Sequence, residues 1–125
     1  MAVSKDIRQQ LALLARSRGT RGSISTQKMP CKWSPLGITQ PGTSFPFTDD
    51  SAWTYVADAI DAGCEIATIA LDNPPGKIGY VMLLASANTT PIYVKLQLLS
   101  GRVLGRSFHY SEYTVWTEPT QKTEC

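Results

Sequence analysis

The stretch Ile92-Tyr-Val-Lys-Leu-Gln-Leu-Leu-Ser-Gly-Arg-Val-Leu-Gly-Arg-Ser-Phe-His-Tyr-Ser-Glu112 decides the fold. Ile92, Val94, Leu96 and Leu98 alternate with Tyr93, Lys95 and Gln97, the period of a strand with one face on a core. Ser100-Gly101 breaks the run, and residues 103–109 follow as a second short strand. The two runs read as an antiparallel hairpin. A two-residue loop would pair Leu99 with Arg102 and turn His109 to the core side. A three-residue loop, Leu99-Ser100-Gly101, suits a turn closed by a glycine and turns Leu104 and Phe108 inward instead. The second register is preferred because it buries those two apolar residues. It places Tyr93, Lys95 and Gln97 on an outer face with Gly105, Ser107 and His109, and it leaves Arg106 on the core side. A slip of one residue would reverse every assignment.

Working outward, residues 78–85 (IGYVMLLA) and 65–72 (EIATIALD) read as two more strands, separated by the Asn73-Pro74-Pro75-Gly76 turn. Thr48, Asp49, Asp50 and Ser51 supply cap residues and first-turn acids for a helix over 50–62, with Trp53, Val56, Ala57 and Ile60 on its apolar stripe. Residues 4–18 form a second helix, capped by Ser4, with Ile7, Leu11 and Leu14 on one face. The segment 19–47 holds four prolines and four glycines and cannot be one regular element, so it reads as a wrapping loop anchored by Trp33, Phe45 and Phe47. Short turns between the strands leave no room for parallel crossovers. The expected architecture is α+β, two helices packed on an antiparallel sheet of about four strands. At 125 residues and 42% apolar content it is one domain, 1–125, divided into helix 4–18, loop 19–47, helix plus sheet 48–116, and a polar tail 117–125.

Net charge is only +2, which argues against nucleic-acid binding through bulk charge. The charges are segregated: residues 1–32 carry seven Lys or Arg against Asp6, while residues 49–72 carry six acids and no Lys or Arg. This predicts one basic and one acidic face. Three cysteines in no metal spacing and a single histidine make a zinc site unexpected, and no cofactor motif is present. The apolar run LALLA (11–15) is too short for a signal peptide or a membrane span, so the expected compartment is the cytoplasm.

The outer face of the hairpin gathers a phenol, an ammonium, an amide, a hydroxyl and an imidazole. Histidine moves protons near neutral pH, cations hold phosphate and steady developing charge, and tyrosine stacks on bases or donates a proton. That inventory suits phosphodiester cleavage without a metal. It equally suits a nucleic-acid-binding face that does no chemistry, with Tyr80 and Tyr93 as stacking platforms. A third reading is a protein-binding or inhibitor domain that offers the acidic helix or a sheet edge to a partner.

The pair of segments YVKLQL and GRSFHYSE resembles the terminal hairpin of the motility quorum-sensing regulator toxins, within the RelE-like group. In that family a Tyr-x-Lys strand precedes a closing strand with Ser-Phe and a basic residue. Tyr93 and Lys95 match the first strand, and Ser107-Phe108-His109 the second. The resemblance implies a RelE-like α+β fold and a metal-independent mRNA endoribonuclease held in check by an antitoxin protein. It implies His109, Tyr93, Lys95 and Lys77 as catalytic residues; from the residue types themselves, Arg106, Ser107, Gln97 and Tyr80 are expected to bind RNA. His109 stands where the family often has lysine. The family's catalytic glutamine has no match, and the 19–47 loop departs from its pattern.

Overall fold

The computed structural model describes residues 3–23, 32–71 and 76–111. The expected tail 117–125, part of the loop and most of the 73–76 turn lie outside the described residues. Ser4 caps α1 (Lys5–Ala15) by accepting from the Ile7 amide. Leu11, Ala12 and Ala15 are its buried face. Thr48 and Ser51 form a reciprocal capping box at the start of α2 (Asp49–Asp61). Gly63, at φ 94°, follows the helix end in a left-handed conformation that favours glycine. The remaining elements are β1 (Arg21–Ser23), a 3-10 turn at Pro35–Gly37, β2 (Ala67–Ala70), β3 (Ile78–Leu84), β4 (Ile92–Leu99) and β5 (Arg102–Tyr110).

The fold is α+β, as expected, with two helices on one face of the sheet. The sheet itself differs from expectation. It has five strands in the order β1-β5-β4-β3-β2, and it is mixed, because β1 runs parallel to β5. The turn argument holds for β2 to β5, which pair antiparallel in succession. It fails for β1, which arrives from a distant part of the chain and needs no tight crossover. A second piece of the same loop extends this edge: the Ser34 amide donates to the Phe108 carbonyl, and the Phe108 amide to that of Lys32.

The core lies between the helices and one sheet face. Trp53, Val56, Ala57 and Ile60 of α2 meet Met82, Leu84, Ile92, Val94, Leu96 and Phe108. Trp33 stacks on Trp53 at 4.5 Å between ring centroids, and its Nε1 donates to Asp49. Trp33 and Phe47 are thus loop anchors, whereas Phe45, expected to be a third, is 69% exposed.

The segregated charges do not form opposed faces. They meet across the α1–α2 seam, where Arg16 pairs with Asp58 and Asp61, and Arg18 and Arg21 both pair with Asp50. Folding brings the two oppositely charged stretches together, so much of the N-terminal basic surplus is neutralised internally.

Candidate functional site

The hairpin starts in the register of the two-residue loop and, past a bulge, shares out its faces as the three-residue loop would, though with neither loop's pairing. Gly101 takes φ 71° in a two-residue loop, and Leu99 pairs with Arg102. This register continues through Leu96↔Gly105. A bulge then inserts one residue into β5, so that Lys95 pairs with Ser107, Val94 with Phe108 and Tyr93 with His109. A bulge of this kind re-aims side chains without breaking the sheet. Beyond it, Tyr93, Lys95, Ser107 and His109 share the face turned away from the helices, as expected.

Three placements near the turn are corrected, two by the two-residue loop and one by the bulge. Gly105 opposes Leu96 on the helix side and is no floor for the outer face; a Cβ there would lie 2.6 Å from the Trp33 ring. Leu104 pairs with Gln97 and leaves the core side to Val103. Arg106 points to the outer face, not the core, and its Nη1 donates to Gln97 Oε1 at 2.9 Å. Burial lowers the Arg106 guanidinium pKa.

Tyr93 and His109 form the tightest unit, with rings stacked at 5.2 Å and 22°. His109 Nδ1 lies 2.9 Å from the Tyr110 carbonyl. A carbonyl only accepts, so Nδ1 carries a proton, and Nε2 presents a lone pair when the ring is neutral. Nε2 is buried with no hydrogen-bond partner among the described residues. The Lys95 stem leans over Gly79 of β3, where an added Cβ would meet its Cδ at 3.4 Å. The Lys95 stem therefore leans toward β3, away from His109 on β5.

Two expected members fall elsewhere. Tyr80 pairs with Leu96 and packs against the helix-side core, so it cannot join Tyr93 as a stacking platform. Lys77 is exposed just before Ile78, toward the Leu99 end of β4. Tyr93 and Leu99 are six residues apart on that strand, so roughly 20 Å separates Lys77 from the His109 level.

The face is also closed, which the sequence did not suggest. Tyr93 is 2% exposed, Lys95 4% and His109 9%, and Gln97, Arg106 and Ser107 are buried too. None of Tyr93, Lys95 and His109 belongs to the helix-side apolar cluster, so the sheet is buried on both faces here. Among the described residues no group of three or more His, Cys, Asp or Glu side chains could hold a metal ion, and no helix is long and apolar enough to cross a membrane. No family model, no curated protein and no solved structure matches this chain.

Proposed function

We propose that the chain is a metal-independent endoribonuclease of the RelE-like toxin kind, acting in the cytoplasm under an antitoxin's control. The observation that carries this reading is the Tyr93–His109 pair. It sets a phenol against an imidazole that donates from Nδ1 and whose Nε2 has no hydrogen-bond partner among the described residues. His109 Nε2 takes the proton of a ribose 2′-hydroxyl. The 2′-oxygen attacks phosphorus, and Lys95 and Arg106 steady the negative phosphorane. The bond to the 5′-oxygen then breaks, that oxygen takes a proton, and the products are a 2′,3′-cyclic phosphate and a 5′-hydroxyl. The Tyr93 hydroxyl orients the group or supplies this proton. Lys77 lies too far along the sheet for the same step, and contributes at most to holding RNA nearer the hairpin turn.

The burial of the face favours a second reading, in which these side chains form a packed polar layer with no chemistry. Under the first reading, RNA reaches them only in a more open conformation than this one. Incubating the purified protein with a defined RNA in EDTA decides between the two. Cleavage leaving 2′,3′-cyclic phosphate ends supports the nuclease. Intact RNA in EDTA and in magnesium alike, at any protein concentration, leaves the packed layer.

A further inference from the structure

The cations of the sheet are sorted by face. The strands β1 to β5 contain neither Asp nor Glu. Arg21 turns to the helix side, where it lies over the Trp53 ring and pairs with Asp50. The other Lys and Arg residues of the sheet, with Lys77 just before β3, share the outer face. Lys95 and Arg106 are buried there. Lys77 and Arg102 are exposed.

Lys77 and Arg102 stand in one row at the turn end of the hairpin. The Leu71 amide donates to the Lys77 carbonyl, so the β2–β3 ladder runs on to Lys77. Strand alternation then puts Lys77 on the side of Gly79 and Val81. Continuing the β3–β4 register from Tyr80↔Leu96 brings Lys77 opposite Leu99, and Leu99 pairs with Arg102. The Arg102 guanidinium reaches over Gly22, where an added Cβ would meet its Nη2 at 3.3 Å. Two strand spacings, roughly 10 Å, separate the two backbones. Arg16, Arg18 and Arg21 are all paired with acids, whereas neither Lys77 nor Arg102 is paired with one among the described residues. The outer face thus carries a cationic track roughly 20 Å long, open at the turn and buried toward His109.

We propose that Lys77 and Arg102 are the entry site for single-stranded RNA, holding backbone phosphates several nucleotides from the bond at His109. The proposal rests on the nuclease reading for the far end of the strand alone. A stacked strand advances about 3.4 Å per nucleotide, so about six nucleotides separate the two points. Exposed cations attract a polyanion before any buried group is uncovered, and two cations on separate strands meet different phosphates. RNA is favoured over an acidic peptide because the track leads on to Lys95, Arg106 and the Tyr93–His109 pair.

The test uses the full chain and a fluorescein-labelled, twelve-nucleotide 2′-O-methyl RNA, which cannot form the cyclic phosphate. Anisotropy gives its affinity over a range of salt concentrations. Each neutralised phosphate adds about 0.7 to the slope of log affinity against log salt. Lys77→Ala and Arg102→Ala are each expected to lower that slope by about 0.7, and the double variant by about 1.4. Lys5→Ala removes the same charge from an exposed position on α1, on the other side of the sheet, and is expected to leave the slope unchanged. Thermal melts confirm folding, and either single variant suffices if the other is not folded. An unchanged slope in a folded Lys77→Ala or Arg102→Ala protein overturns the proposal. So does an equal fall in Lys5→Ala, or no binding at all. Displacement of the strand by an equal concentration of twelve-residue oligoglutamate also overturns it and assigns the row to an acidic protein. Intact RNA in EDTA beside the expected slopes supports the entry site and overturns the nuclease reading alone.

Discussion

Gly105 shows how one residue sets the site. It lies on the helix side of β5, and the Trp33 indole rests against it where a side chain would otherwise stand. That contact joins the loop to the strand immediately before the bulge that re-aims Ser107 and His109. Gly105→Ala forces the indole or the strand to move. We expect it to cost roughly 1–3 kcal/mol, the range of overpacked cores, as measured by urea unfolding. A change within about 0.5 kcal/mol, as for an ordinary surface substitution, would show that Trp33 is not seated there. The glycine was visible in the sequence as a gap in the outer face, but its partner was not, because Trp33 reaches it from a loop 72 residues away. Tyr93→Phe is a second probe at this scale. It keeps the ring stacked on His109 and removes only the hydroxyl, so a large fall in RNA cleavage assigns the phenol to proton transfer or orientation. A small one assigns it to stacking.

At the scale of elements, the helices were legible because their ends carry local signals. Ser4 and Thr48 cap as expected, and the observed helices fall within one to three residues of the boundaries read from periodicity. The four later strands were legible too, β4 from alternation and β3 from a mostly apolar run bounded by turns. β1 was not, because Arg21–Ser23 is three residues long with no apolar pattern and gains its pairing only from the distant β5 edge. Nor was the bulge. Its cause is a compromise: the two-residue turn at Ser100-Gly101 fixes one register, and burial of Phe108 beside Val94 demands the other. The α1–α2 seam also depends on distant partners. Hydrogen bonding from Arg18, aided by the charge of Arg21, holds the Asp50 carboxyl below its usual range. A depressed carboxyl pKa adds stability that is fully present above the unfolded value, roughly pH 3.9, and is lost as pH falls through the folded value. Wild type should therefore melt above Asp50→Asn by a constant margin at neutral and mildly acidic pH, and the margin should vanish only below about pH 4. Thermal midpoints taken between neutral pH and strong acid check this, and a margin that already shrinks near neutrality would contradict it.

At the scale of the whole molecule, the hairpin is enclosed from both sides, and this governs how its chemistry can be read. Alternation told which side chains share a face, and Tyr93, Lys95, Ser107 and His109 do share one. It could not tell that the face is covered, because exposure depends on everything else that packs on the sheet. The groups to which the proposed nuclease reading assigns acid–base cleavage are therefore withheld from solvent in this conformation. The proposed nuclease activity would require opening, whereas a packed layer does not. The proposal rests most heavily on His109, the sole histidine in the chain. Its direct test is the single-turnover rate of RNA cleavage in EDTA by the unaltered protein and by His109→Ala, with circular dichroism showing that both are folded. The account predicts cleavage by the first, and a rate lower by roughly two to four orders of magnitude in the second, the usual worth of a positioned base. Equal rates in the two folded proteins, or no cleavage by either, would contradict it.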